Sequence, residues 1–130
     1  MKLRADRIEG QNAIARHSRE GVIVNGQELR HSVLVPWQGD VLPWSVDRFA
    51  DLAEAHFARL VELGPELVIF GSGERLRFVR PVLMRALIDS RIGIETMDTA
   101  AACRTYNVLL AEGRSVVAAL LFESELPSLG

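Results

Sequence analysis

The chain has 130 residues, a formal net charge of −2 at pH 7, 48% apolar residues and 25% charged residues. These values are typical of one globular domain that buries its own core, and they argue against a strongly basic nucleic-acid-binding protein. The longest apolar run, residues 116–122, has seven residues and is too short to span a membrane. We therefore predict a single domain over residues 1–130, with an ordered core over about residues 12–122.

The cysteine and histidine residues limit which cellular compartment and which metal sites are expected. Cys103 is the single cysteine, so no intrachain disulfide can form, which fits a reducing compartment. The first seven residues contain no apolar stretch typical of a secretory signal, and we expect a cytoplasmic protein. His17, His31 and His56 have no metal-ligand spacing, so we expect no metal and no cofactor.

The first third of the chain predicts a small antiparallel β unit. Residues 13–17 and 21–24 have the composition of short strands, and Asn25-Gly26 is a strong turn signal because both residues tolerate positive φ. Residues 27–35 then resume a strand pattern that Pro36 ends. Residues 37–44 contain glycine and proline and predict a loop. Trp37 and Trp44 flank this loop, where they either cap the core or form an exposed patch for a partner.

A helix is predicted from Ser45, which has the character of an N-cap, to the stop signal at Gly64-Pro65. Apolar residues recur at helical spacing after Ser45, and His56 falls on the exposed side, where we expect it to be solvated. Residues 66–70 and 116–122 are almost wholly apolar, which is typical of interior strands covered on both faces.

Two further helices and one more strand complete the pattern. Pro81 begins one helix, residues 94–97 form the strand, and Asp98 or Thr99 caps a helix that Gly113 ends. The tail, residues 123–130, is predicted to be loose. The alternation of helices and strands predicts an α/β layered sandwich in which residues 66–70 and 94–97 run parallel.

A candidate ligand site follows from this topology. Gly71-Ser72-Gly73 leaves one parallel strand and Asp98-Thr99 leaves the other, and each leads toward a helix N-terminus. Free backbone N–H groups at helix starts favour an anion, and residues 74–91 add five arginines against two carboxylates. The alternative is a plain tight turn beside ordinary helix caps, since neither a dinucleotide fingerprint nor a phosphate-loop lysine is present.

The third helix carries three further polar candidates. Arg104 and Asn107 share one face, where they either line the pocket or a partner surface, or tie the helix to neighbouring loops. We favour the structural role, because a polar residue in a packed α/β layer must be hydrogen-bonded. Cys103 lies near a helix start that would stabilise a thiolate, but its alanine neighbours favour a small buried residue.

The segment Glu-Thr-Met-Asp-Thr-Ala-Ala-Ala-Cys-Arg-Thr-Tyr-Asn (95–107), followed by Glu-Gly-Arg (112–114), resembles the signature of the Mth-type family of small α/β domains. Val-Asn-Gly (24–26), Ser-Val-Leu-Val-Pro (32–36) and Pro-Glu-Leu-Val-Ile-Phe-Gly-Ser-Gly (65–73) support the resemblance over about residues 12–122. Ser72 and His31 depart from the family's common threonine and glycine. Relatives include an adipogenesis-associated protein and mitochondrial complex I assembly factor three.

The resemblance implies a three-layer α/β sandwich with a central mixed, partly parallel sheet, and no established catalytic activity. We therefore interpret the chain as a non-catalytic binding protein, with an assembly or chaperone-like role for a larger complex. The alternative is a small-anion or nucleotide-type ligand-binding protein or enzyme, with its site at Gly71, Ser72, Gly73, Asp98, Thr99, Arg104 and Asn107. No catalytic residue is assigned, and the oligomeric state is left open. Nucleic-acid binding through the arginines of residues 75–91 is disfavoured by the overall charge.

Overall fold

A computed structural model describes residues 10–123. The leading residues 1–9 and the residues 124–130 lie outside this range. The expectations of a start without a secretory signal and of a loose tail therefore fall outside the described residues, except at Glu123.

The N-terminal part forms a small antiparallel sheet. Its strands are β1 (Ile14–His17), β2 (Val22–Val24) and β3 (Gln27–Leu29), with β2 in the middle. Asn25 and Gly26 form the β2–β3 turn with φ of 54° and 79°, the left-handed conformation that favours this residue pair. The predicted antiparallel unit and its turn are confirmed.

A mixed sheet forms the centre of the described part of the chain. It consists of β4 (Val33–Pro36), β5 (Leu42–Pro43), β6 (Leu67–Gly71), β7 (Gly93–Met97) and β8 (Val116–Leu120). The strand order is β5-β4-β8-β6-β7, with β6 parallel to both β7 and β8, and β4 antiparallel to β8. The apolar strands β6 and β8 are interior, as their sequences predict, because residues on both of their faces are buried.

Side chains alternate between the two faces of this central sheet and build two cores. On β8, Val116, Ala118 and Leu120 join one core, while Val117 and Ala119 join the other. The small sheet and one helix cover the first core, and two shorter helices cover the second. The three-layer sandwich is confirmed.

The helices are α1 (Glu54–Val61), α2 (Arg85–Asp89) and α3 (Thr99–Ala111). Asp98 is the N-cap of α3, and its carboxylate accepts a hydrogen bond from Ala101 N–H at 2.8 Å. A 3-10 turn at Pro81–Met84 leads into α2, in agreement with proline at a helix start. None of the helices in residues 10–123 is long and apolar enough to cross a membrane.

The prediction of one strand over residues 27–35 is wrong. The segment forms two strands, β3 and β4, which belong to different sheets. The break lies at residues 30–32, where the buried Ser32 hydroxyl accepts a hydrogen bond from Phe122 N–H at 2.9 Å. This bond joins the start of β4 to the end of β8, so β4 pairs with the central sheet rather than continuing the small one.

The predicted helix start at Ser45 is also wrong, because α1 begins at Glu54 after an N-cap at Ala53. Residues 44–53 instead fold over the second core and include a 3-10 turn at Phe49–Asp51, with Trp44, Val46 and Leu52 buried. His56 is not simply solvated: its Nδ1 accepts from Ala53 N–H at 2.9 Å, and its Nε2 lies 3.1 Å from the Ser45 carbonyl oxygen. The imidazole thus satisfies the backbone N–H of the N-cap residue, as the third helical residue does in a capping box. The loop expected over residues 37–44 contains the short strand β5.

Candidate functional site

The ends of β6 and β7 lie side by side, as the sequence predicts. Gly71 pairs in register with Met97, and the chain leaves both strands at the same edge of the sheet. A Cβ atom at Gly71 would lie 2.9 Å from Thr99 Cα, so glycine permits the start of α3 to pack directly on the end of β6. This edge, built from residues 71–73 and 97–99, is the strand-end junction.

The backbone donors at the strand-end junction are paired with one another. Ser72 N–H donates to the Met97 carbonyl at 2.9 Å, and Thr99 N–H donates to the Gly73 carbonyl at 2.8 Å. Gly73 N–H donates to Thr99 Oγ1 at 2.8 Å. The prediction of unpaired amides at this edge is therefore wrong for Ser72, Gly73 and Thr99, because the two chain segments satisfy each other first.

The side chains of the strand-end junction also form hydrogen bonds within the junction. The buried Ser72 hydroxyl donates to the Arg75 carbonyl at 2.8 Å and accepts from Arg77 N–H at 2.9 Å. Thr99 Oγ1 donates to the Leu121 carbonyl at 3.0 Å. Each hydroxyl thus bridges two stretches of backbone, and the residues that were predicted to hold an anion stabilise the junction itself.

A cleft of about 910 Å³ opens beside the strand-end junction, with Gly73, Asp98 and Thr99 in its wall. The arginines of the wall are Arg19, Arg75 and Arg77, and its carboxylates are Glu74, Asp98 and Glu123. Arginines and carboxylates are thus equal in number in the wall, so the arginine excess of residues 74–91 does not extend to the cleft. The small sheet supplies His17, Ser18 and Arg19, and the chain after β8 supplies Glu123, so residues distant in sequence set this balance.

Arg77 and Glu123, both in the cleft wall, form a close ion pair. The Arg77 guanidinium lies 2.7 Å from a Glu123 carboxylate oxygen and 2.7 Å from the Ser72 carbonyl, and it stacks 4.5 Å from the Phe49 ring centre. Glu123 also accepts from Phe49 N–H at 2.8 Å. Partial burial opposes the charged form of Glu123, but the hydrogen bonds from Arg77 and Phe49 outweigh it, and the pKa of Glu123 is lowered.

The segment after the strand-end junction presents apolar side chains to solvent. Residues 76–80 run without helix or strand structure, and their side chains alternate: Arg77 and Val79 point inward, while Leu76 and Phe78 point outward. Leu76 is 50% exposed and Phe78 is 71% exposed. Sequence reasoning missed this feature, because an arginine between two large apolar residues suggests the opposite orientation. The sequence did hold one signal: this segment fits neither a helical nor a strand pattern, so its apolar residues need not face the core.

Arg104 and Asn107 lie away from the cleft. Asn107 Oδ1 accepts from Ile14 N–H at 2.9 Å, and its Nδ2 donates to the Ile14 carbonyl at 2.8 Å, so the side chain pairs with the edge of β1 as another strand would. The neighbouring Tyr106 hydroxyl lies 2.9 Å from the Asn12 carbonyl oxygen and 3.0 Å from that of Pro36. Arg104 is exposed on α3. Gly73, Asp98 and Thr99 thus line the cleft, Gly71 and Ser72 lie in the junction, and the other two predicted residues are elsewhere.

Cys103 is fully buried in the first core, and burial raises the pKa of its thiol to about 12 although the nearby Arg104 charge lowers it. The thiol is therefore protonated at neutral pH and is not an activated nucleophile. Within residues 10–123, no three His, Cys, Asp or Glu side chains are grouped so that they could hold a metal ion.

The fold and the closed strand-end junction define a small three-layer α/β domain in which α3 joins a mixed sheet to an N-terminal hairpin sheet. The sequence profile described as "Protein of unknown function (DUF498/DUF598)" matches residues 14–121, and the chain belongs to this family. A solution structure from Bordetella pertussis, described as a Mth938-like domain, is 30% identical and has a TM-score of 0.77 over 97% of this chain and 96% of that one. The resemblance to the Mth-type family is confirmed.

Two further proteins show the same similarity. A crystal structure of a Bordetella parapertussis protein is 35% identical, with a TM-score of 0.82 over 88% of this chain and 98% of that chain. The NADH dehydrogenase [ubiquinone] 1 alpha subcomplex assembly factor 3 of Bos taurus is 35% identical over 108 residues, which are 81% of this chain and 58% of the relative. The chain spans about three fifths of the length of such curated relatives.

Proposed function

We propose that this protein is a non-catalytic binding protein that acts as an assembly factor for a larger protein complex. Its similarity to NADH dehydrogenase assembly factors supports the assembly role. The observation that carries the binding role is the outward position of Leu76 and Phe78, which are 50% and 71% exposed. Contiguous exposed apolar patches mark interaction sites, and Leu76 and Phe78 lie two residues apart on the outward side of one segment.

The segment that carries these side chains is anchored to the domain by its inward-facing residues. Arg77 lies between them in sequence and bonds inward to Ser72 and Glu123, and Val79 is buried in the second core. The outward side chains are therefore presented on a fixed backbone. A pre-organised contact loses less conformational entropy on binding than a mobile one, which favours a partner surface over an accidental exposure.

The polar groups of the strand-end junction support the non-catalytic part of the proposal. The hydroxyls of Ser72 and Thr99 are engaged in bonds to backbone groups, and Asp98 caps α3. Cys103, the remaining candidate nucleophile, is buried and protonated. A catalytic role for the hydroxyl of Ser72 or Thr99 would require breaking the bonds that shape residues 72–77 or the bond that joins the start of α3 to Leu121.

The proposal is tested by removing the gene from its own organism and separating membrane complexes on native gels. We expect loss of assembled NADH dehydrogenase, or of another multisubunit complex, with accumulation of its subassemblies. Wild-type protein and Val108→Asp, altered at an exposed valine of α3, should restore assembly, whereas Phe78→Asp should not. Normal levels of all complexes in the deletion strain would overturn the proposal. We also place the protein in the cytoplasm, which fractionation of the same cells would test.

The cleft beside Gly73, Asp98 and Thr99 favours a second candidate, a small-anion or nucleotide-type ligand site that could also serve an enzyme. Its volume of about 910 Å³ suits a small molecule, although its paired amides and balanced charge are less favourable to an anion. A ligand at a hundredfold excess over its Kd should stabilise the fold by about 2.7 kcal/mol. Thermal melting with phosphates, nucleotides and carboxylates tests this candidate, and unchanged melting temperatures throughout would remove it.

A further inference from the structure

The exposed side chains of Leu76 and Phe78 lie in a stretch of the chain whose charged residues are all arginines. Residues 75–88 contain four arginines and no Asp or Glu. Arg77 is neutralised by Glu123 at 2.7 Å, whereas Arg75, Arg80 and Arg85 are exposed and form no ion pair with carboxylates of residues 10–123. Val82, 44% exposed, and Ile88, 54% exposed, extend the apolar character of the stretch.

We propose that this stretch, the 75–88 surface, binds an acidic protein segment that carries apolar side chains. The inference rests on the proposed function and specifies the chemistry of its partner. Leu76, Phe78 and Val82 would contact the partner's apolar side chains, and the three unpaired guanidiniums would face its carboxylates. Arginine suits this role, because its planar fork forms two parallel hydrogen bonds with one carboxylate.

The charge distribution favours an acidic protein segment over other anionic partners. The whole chain has a net charge of −2, and carboxylates flank the 75–88 surface at Glu74 and Asp89. A flat anionic membrane would meet these acidic groups together with the arginines, whereas a narrow segment can contact the arginines alone. Nucleic acid is disfavoured because Phe78 is the single aromatic residue of the stretch, so stacked bases would find one platform.

The experiment is site-specific photo-crosslinking in cells of the protein's own organism. Benzoylphenylalanine replaces Phe78 in the full chain, and it replaces Val108 in the matched control, since Val108 is also exposed, at 57%, but lies on α3. Mass spectrometry then identifies the segment attached at each position. We expect adducts at position 78 to be protein segments with an excess of Asp and Glu around apolar residues, and position 108 to give none of them.

A charge-reversal variant sharpens the test. Arg75→Glu, Arg80→Glu and Arg85→Glu together should lower the crosslink yield at position 78 by roughly tenfold, since exposed ion pairs contribute modestly and add up. Arg16→Glu, which reverses an exposed arginine of β1, should leave the yield unchanged. Circular dichroism and thermal melting verify that both variants are folded. A lower crosslink yield from a folded variant then shows that the substituted arginines contribute to binding.

Several outcomes would overturn the inference. These are adducts at position 78 with lipid, with nucleic acid, with a second copy of this chain or with non-acidic segments, equal adducts at positions 78 and 108, or no adduct at position 78. The assembly role can fail separately. If deleting the gene leaves every complex assembled while position 78 still crosslinks to acidic segments, the binding surface is supported and the assembly role is rejected.

Discussion

Replacing Asn107 should loosen the attachment of the small sheet to the rest of the molecule. Its amide makes two hydrogen bonds, of 2.9 and 2.8 Å, to the backbone N–H and carbonyl of Ile14. In Asn107→Ala, both backbone groups lose their partner. Each unsatisfied buried group costs about 1–3 kcal/mol, but this contact is only partly buried and water can replace part of it. We therefore expect a loss of about 2 kcal/mol in the free energy of unfolding.

Urea denaturation followed by circular dichroism measures this loss. With a slope of roughly 2 kcal/mol per molar urea, the midpoint should fall by about 1 M. Asn107→Asp is a nearly isosteric comparison: it keeps an acceptor for Ile14 N–H but places a carboxylate oxygen against the Ile14 carbonyl, so it should be at least as destabilising as alanine. Hydrogen exchange at the Ile14 amide should accelerate in both variants.

The matched control is Val108→Ala, the next residue along α3, whose side chain is 57% exposed. It should change stability by less than about 0.5 kcal/mol. If Asn107→Ala shifts the urea midpoint no more than this control does, or if Asn107→Asp is as stable as the unmodified protein, then the paired amide does not hold the two sheets together and the reasoning fails.

Three further measurements address the strand-end junction and the cores. Ser72→Ala removes a buried hydroxyl that accepts from Arg77 N–H, so it should lower stability by about 1–3 kcal/mol and speed exchange at the Arg77 amide; unchanged exchange would contradict this. Glu123 has a lowered pKa, so its contribution to stability is present above the unfolded value of 4.5 and is lost as pH falls through the lower folded value. The stability gap between the unmodified protein and Glu123→Gln should therefore be largest near neutral pH and shrink below about pH 4.5, and a gap independent of pH would argue against it. Cys103, with its pKa raised to about 12, should resist a thiol reagent at pH 8 until the chain is unfolded, and rapid labelling of the native protein would show that the thiol is accessible.

Much of the central sheet could be predicted from the sequence, because its strands carry strong local signals. Residues 67–71 and 116–120 are apolar runs, and interior strands have this composition. The parallel arrangement of β6 and β7 followed from the helix predicted between them, and with it the common exit at Gly71 and Met97. These inferences depend on composition over several residues, which is why they held.

The wrong predictions concern segments whose structure depends on contacts with residues remote in the sequence. The alternation of residues 27–35 shows a strand but cannot show that its halves pair with β2 and β8, which are remote from each other in sequence. Apolar spacing after Ser45 mimics an α-helix, although Val46 and Leu52 are buried from a segment that contains only a short 3-10 turn, at Phe49–Asp51. The cleft could not be predicted either, since Arg19 and Glu123 reach it only in the folded chain.

The bonds between Asn107 and Ile14 connect residues 93 positions apart, and those from Tyr106 to Asn12 span 94. During synthesis, β1 to β3 are made long before α3, so the small sheet has no surface on which to dock until α3 has been synthesised. Such long-range closures are slow compared with local ones. The small sheet can therefore pack against α3 only after residues 106 and 107 have been made, and its inner apolar side chains stay uncovered until then.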